Sequence, residues 1–332
     1  MSENTKKVLF LRNFTKVLCC STLFLIFAGG LVKSTNSGLA VPDWPLSYGS
    51  FFPPMVGGVF YEHGHRMIAT LVGFFTLCIA ILIGMWEKRQ WVKILTWSGL
   101  AAVILQGVLG GLTVLFFLPD WISIAHGLLA QTFFCLTIFV TYALSIERGE
   151  RGLNKSETNS GFIKLSAGVI VLIYVQLFLG ALMRHTESGL AIPDFPKMGG
   201  YWFPPFNDAM LARVNAWRFY ENLDAVTLTQ VWFHFFHRAG ALLVTAGCVL
   251  INFFGLETFR NRPKIISTIF FLDLMIVLQI LLGITTILSK KEPMVTSLHV
   301  VLGAAVLGMS VLLLLRVSPI HWNDFKKAAI NE

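Results

Sequence analysis

The chain has 332 residues, of which 55% are hydrophobic and 13% charged, and its formal net charge is +8. That is about half the charge of an ordinary soluble domain, which excludes a free aqueous fold. The positive balance makes no case for a nucleic-acid partner, because it sits in short loops between apolar runs, where it reports membrane orientation.

Residues 1–13 read as a polar cytoplasmic tail. Apolar runs follow at 14–33, 62–86, 92–117, 121–146, 162–184, 231–255, 264–288 and 294–316. Each is near the ~20 residues that cross a bilayer. A lone apolar segment in lipid must satisfy its own backbone, so each run is predicted to be a helix. The expected fold class is an all-α polytopic membrane protein with eight transmembrane helices. Lys6, Lys7, Arg12 and Lys16 precede the first run. Every second loop is then basic, with Lys88, Arg89 and Lys93, next Arg148, Arg151, Lys155 and Lys164, next Arg260, Arg262 and Lys264. Arg316, Lys326 and Lys327 follow the last run. The alternate loops carry fewer cations, so both termini are expected in the cytoplasm. The first run is too long for a cleaved signal peptide and lacks a small-residue cleavage site, so it is expected to persist as a helix. No Arg- and Ser-rich transit sequence precedes it, which favours a bacterial inner membrane. Cys19, Cys20, Cys78, Cys135 and Cys248 all fall inside apolar runs and read as packing residues.

The loop after the first run is Thr35-Asn-Ser-Gly-Leu-Ala-Val-Pro-Asp-Trp-Pro45, and Thr186-Glu-Ser-Gly-Leu-Ala-Ile-Pro-Asp-Phe-Pro196 repeats it with eight of eleven positions identical. The register shift of 151 residues there becomes 172 between His65 and His237, then 173 between Gln106 and Gln279 and between His126 and His299. The chain is therefore predicted to be two tandem four-helix bundles, 14–146 and 162–316, joined by a cytoplasmic linker at 147–161 and followed by a tail at 317–332. An even number of helices per unit makes the repeats parallel, with pseudo-two-fold symmetry along the membrane normal. The second outer loop is 21 residues longer than the first. Both outer loops are rich in proline and aromatic residues, in keeping with an interfacial belt or a lid over a large apolar ligand.

His65, His126, His237 and His299 each lie a few residues into an even-numbered run, roughly 6–10 Å below the outer boundary. Side chains at one depth on facing helices build cofactor sites in bundles. Zinc ordinarily takes a cysteine or carboxylate among close ligands, whereas paired histidines across glycine-containing helices suit the two axial positions of a haem iron. Gly107, Gly110, Gly111 and Gly283 would let a macrocycle or a helix approach closely. Arg66 and Arg238 follow two of the histidines, and haem carboxylates would supply the anions that such arginines need. Glu62 lies one helical turn above His65, and the matching residue in the second half is His234. An acid at one site only points to chemistry in the first half and electron handling in the second. Asp273 is an unmatched acid within the seventh run.

These features together resemble haem A synthase, the CtaA/COX15 family: the paired Thr-x-Ser-Gly-Leu-Ala-x-Pro-Asp loops, Glu62-x-x-His65-Arg66, His126, His237-Arg238 and His299. The resemblance covers essentially the whole chain. It implies oxidation of a methyl group of haem O to the formyl group of haem A by successive hydroxylations. His65 and His126, with Arg66, would hold the substrate haem O, and Glu62 would be the essential acid. His237 and His299, with Arg238, would hold a haem b through its iron. Membrane lipid surrounds such a chain, and haem O synthase, a terminal oxidase or a second copy of the chain are its candidate partners. One branch of the family carries a cysteine pair in the first outer loop; residues 34–60 here hold none, so a mechanism needing those thiols does not carry over. Two other readings remain at this point: a quinol-linked di-haem b electron carrier, and a haem or small-molecule transporter.

Overall fold

The computed structural model describes residues 3–150 and 159–318. Most of the expected linker, the tail from residue 319, Arg151, Lys155, His321, Lys326 and Lys327 lie outside the described residues. Within them the helices are α1 (Glu3–Ser34), α2 (Gly58–Trp86), α3 (Gln90–Leu115), α4 (Asp120–Ala143), α5 (Ile146–Glu150), α6 (Ser160–His185), α7 (Asp208–Tyr220), α8 (Leu228–Thr258), α9 (Pro263–Leu288) and α10 (Pro293–Val317). All but the short α5 and α7 are long and apolar enough to cross a membrane, so the chain is a multi-pass α-helical membrane protein.

Local chemistry fixes the helix ends. Asn159 caps α6 by accepting from Phe162 N–H, and Glu292 caps α10 by accepting from Val295 N–H. Thr227 and Gln230 form a capping box on α8. Pro263 and Pro293 open α9 and α10 at positions where the missing N–H costs nothing. α3 stops where Phe117 and Leu118 adopt positive φ. The expected polar tail is instead helical from Glu3. Leu11 is buried there, Phe14 packs edge-on to Phe75, and Arg12 donates to the Leu144 carbonyl. Four basic residues hid that apolar face from a hydropathy reading.

Each half closes into a ring. α1 packs on α2 and α4, and α3 joins α2 to α4; in the same way α6 packs on α8 and α10, and α9 joins α8 to α10. The rings meet along α4, α10, α1 and α6. Gly308 of α10 lets Phe134 and Ile138 of α4 sit against its backbone, the small-residue contact that replaces a hydrophobic driving force in lipid. Tyr174 of α6 shares a hydrogen bond with Thr132 of α4 at 2.8 Å. At the end of the bundle that carries the two long loops, Arg184 of α6 donates to Gly30 O and Ser34 Oγ of α1. At the opposite end Arg316 of α10 is paired with Glu147 of α5.

The extra length of the second outer loop is α7. Met210 and Val214 repeat at i and i+4 and pack under Ala191, Ile192, Val226 and Val231. Arg218 completes that face, donating to the carbonyls of Leu190 and Asp224.

Candidate functional site

The two outer loops fold alike. Thr35 and Ser37, and Thr186 and Ser188, share hydroxyl hydrogen bonds of 2.8 and 2.7 Å. Asp43 accepts from Tyr48 and Gly49 N–H, and Asp194 accepts from Gly199 and Gly200 N–H. The N–H groups of Gly49 and Tyr48 hold the Asp43 carboxyl below the usual carboxylate range. Gly199 and Gly200 both have positive φ, the region where a side chain would be strained. The Trp44–Pro45 and Phe195–Pro196 bonds are both cis.

Each loop is fastened to the helix bearing the first histidine of its half. Arg66 donates to the carbonyls of Val41, Asp43 and Leu46 and to Glu62 Oε1. Arg238 donates to the carbonyls of Asp194 and Lys197, with its guanidinium over the Phe195 ring. Both arginines are thus met by loop carbonyls, and Arg66 by the Glu62 carboxylate as well. Both act as loop staples, because several converging carbonyl dipoles solvate a guanidinium much as a carboxylate does.

Glu62 is 3% exposed, and its Oε2 accepts from Val41 N–H at 2.7 Å. The repeat-related contact joins Ile192 N–H to Nδ1 of His234, 3.0 Å away and 2% exposed. His234, given no role from the sequence, is therefore the structural counterpart of Glu62, and its proton sits on Nε2. Aligning Val41 with Ile192 was the available signal. His63 is a second buried imidazole, with Nδ1 2.8 Å from Ser47 Oγ. Asp273 accepts a hydrogen bond from Asn252 of α8.

The four predicted histidines come in two pairs, one per half. The rings of His237 and His299 face each other with centroids 6.4 Å apart and planes at 77°. Two metal–imidazole bonds of ~2.0 Å each, with ~1.1 Å from nitrogen to ring centre on both sides, span ~6.2 Å, so a separation of 6.4 Å leaves room for one iron. Every one of the four rings lies in a notch made by glycine on a neighbouring helix. A Cβ at Gly29 would be 3.0 Å from Cε1 of His65; at Gly110, 3.2 Å from His126; at Gly180, 3.1 Å from His237; at Gly283, 3.2 Å from His299. Gly29 and Gly180 are repeat mates, as are Gly110 and Gly283. Nδ1 of His65, His126 and His299 is buried without a well-aligned hydrogen bond. The backbone carbonyls of Leu25, Gln106 and Gln279, one turn before those glycines, face these rings. A neutral imidazole with Nδ1–H turned to a carbonyl presents Nε2 to a metal. Among the described residues no three His, Cys, Asp or Glu side chains gather as a metal site. The residues present fit a haem in each half.

Of the other glycines, Gly111 is covered by the Trp44 indole, 2.7 Å from where a Cβ would stand, and Gly107 faces open space. Trp44 thereby lies beside the His126 notch, while Phe51, Phe52, Trp202 and Phe203 are exposed at the loop tips, as membrane-interface aromatics are.

Residues 12–311 match the COX15-CtaA family, described as cytochrome oxidase assembly protein. The chain is 28% identical over 281 residues to the heme A synthase of Bacillus licheniformis, covering 81% of this chain and 83% of that one. It is 24% identical over 329 residues to that of Lysinibacillus sphaericus, covering 96% and 98%. With that of Beijerinckia indica it shares 28% over 334 residues, 89% of each chain.

Proposed function

This chain belongs to the COX15-CtaA family of cytochrome oxidase assembly proteins, and we propose that it is a haem A synthase, which oxidises the methyl group of haem O to the formyl group of haem A. The observation that carries the reading is the set of four glycine-notched histidines, paired within each half, with an acid beside only one pair.

Substrate haem O is held in the first half by His65 and His126, with the Trp44 indole over α3 beside it. A haem b is held in the second half by His237 and His299, and when bound it supplies one-electron redox chemistry. Two successive hydroxylations of the methyl carbon give a gem-diol, which loses water to leave the aldehyde. The chain's part is to orient the ring and to handle protons. Glu62 is the proton-handling group: Oε2 is fixed by Val41 N–H and Oε1 by Arg66, which keeps the carboxylate one turn from His65. The loop staples Arg66 and Arg238 act on the haems through the loops they hold. Family membership and the single acid set this reading above the electron carrier and the transporter.

The protein is placed in a bacterial inner membrane with both termini cytoplasmic and the histidines towards the outer face. Haem O synthase and a terminal oxidase are its partners in supply and delivery. Expression beside haem O synthase in a host without haem A, followed by chromatography of extracted pigment, tests the activity. Haem A should appear, and haem O should accumulate alone when His65 is replaced by Ala. Haem O without haem A in the wild-type cells would overturn the proposal.

A further inference from the structure

The four histidines differ in one respect that neither the repeat nor the family assigns a use. Three are braced by a glutamine amide from the adjoining helix. Gln106 donates to the backbone carbonyl of His126 at 2.9 Å, Gln279 to that of His299 at 3.0 Å, and Gln176 to that of His237 at 2.8 Å. The Gln176 backbone carbonyl faces the His237 ring, so Nδ1–H is turned to α6 there, as it is to the adjoining helix at the other three sites. Each glutamine stands four residues before the glycine that receives the ring, so brace and notch lie on one helix face. The acceptor carbonyl settles which end of each amide is the nitrogen.

At the fourth site the brace is missing. The repeat mate of Gln176 is Leu25, and the repeat mate of Gly240 is Ile68. Gly240 is what admits Gln176, since a Cβ there would collide with its Oε1. In the first half Leu25 and Ile68 instead pack into the apolar core. The exchange is concerted: amide and glycine on one side, two branched aliphatics on the other. Both rings face a backbone carbonyl of the adjoining helix, that of Leu25 for His65 and of Gln176 for His237; what His65 lacks is an amide on its own main-chain carbonyl.

We propose that this brace separates a resident haem from an exchanged one, and that His65 is the ligand that releases its haem. The inference rests on the functional reading above. Groups beyond a metal's own ligands fix the ring orientation, and their loss typically lowers affinity about 10- to 100-fold. A haem held by two braced histidines stays through many turnovers. One held by His126 and an unbraced His65 leaves when the His65 Nε2–iron bond breaks and the electron pair returns to nitrogen. A synthase needs this difference, because its product must depart while its redox partner remains.

The test uses the full-length protein in detergent and follows haem transfer to excess apomyoglobin by absorbance. Gln176→Leu removes the amide at similar volume. Gly240→Ala displaces it with a residue that favours helix, which guards against misfolding. Both should shorten the half-time of haem b transfer about tenfold or more. Leu25→Gln with Ile68→Gly rebuilds the brace and should lengthen retention of haem in the first half by a similar factor. Wild-type half-times in Gln176→Leu and Gly240→Ala would overturn the inference. His237→Ala is run in parallel. If it loses low-spin haem b while Gln176→Leu behaves as wild type, only the brace fails; if it keeps the haem, the placement of haem b fails and the brace with it.

Discussion

The repeat supplies its own control for Glu62. Glu62→His installs the residue that the second half uses at the same place. His234 shows that an imidazole there reaches the loop N–H, at 3.0 Å, so the bond to Val41 should survive. What is lost is the contact between Arg66 and Glu62 Oε1, 2.7 Å long and with the two side chains 16% and 4% exposed. A hydrogen bond to a charged group contributes about 1.5–3 kcal/mol. Arg66 keeps its three loop carbonyls, and Arg238 holds its loop by two without any acid at the Glu62 position, which puts the expected loss near the low end, about 1.5 kcal/mol. A positioned acid–base group contributes about 10²–10⁴-fold to rate. Glu62→His should therefore fold, keep its haem b spectrum, melt slightly lower, and lose at least about 100-fold in haem A formation. The assay is chromatography of haem O, hydroxylated haem and haem A from cells carrying each variant, with thermal unfolding in detergent alongside. Wild-type haem A in Glu62→His would show that Glu62 is only a loop anchor, and would refute the reasoning that makes it the proton-handling group.

His237→Ala or His299→Ala should abolish low-spin haem b absorbance in reduced-minus-oxidised spectra, whereas His65→Ala or His126→Ala should leave most of it; the opposite pattern would exchange the roles of the halves. Gly111→Val puts a side chain where the Trp44 ring lies, an overpacking that costs about 1–3 kcal/mol, and it should shift tryptophan fluorescence and lower the melting temperature. The Asp43 carboxyl is held below the ordinary aspartate value of 3.8 by the Gly49 and Tyr48 N–H groups. Its contribution to the first outer loop is complete above that pH and is lost as pH falls through the lowered folded value. Protease nicking of residues 35–56 should therefore rise only below about pH 4 in wild type, and at neutral pH in Asp43→Ala.

The sequence by itself determined the number of spans, the repeat, and the four histidines that the structure brings into two pairs. Hydropathy and a 151-to-173-residue register are one-dimensional properties, and a helix in lipid converts them directly into depth and facing. It also pointed to Glu62, because an acid opposite a histidine in aligned repeats is visible as a mismatch. It did not reveal α7, whose Met210 and Val214 bury against loop residues rather than lipid, nor the helical start of α1, whose apolar face is interrupted by lysines. It did not show that loop carbonyls converge on Arg66 and Arg238, since backbone carbonyls that meet a guanidinium leave no trace in side-chain identity. Gln176 and Leu25 could have been aligned, but only tertiary structure shows that Gln176 reaches the carbonyl of His237 through the gap left by Gly240. A hydrogen bond between helices depends on how closely two backbones approach, and that distance is set by packing across the bundle, which no single stretch of chain encodes.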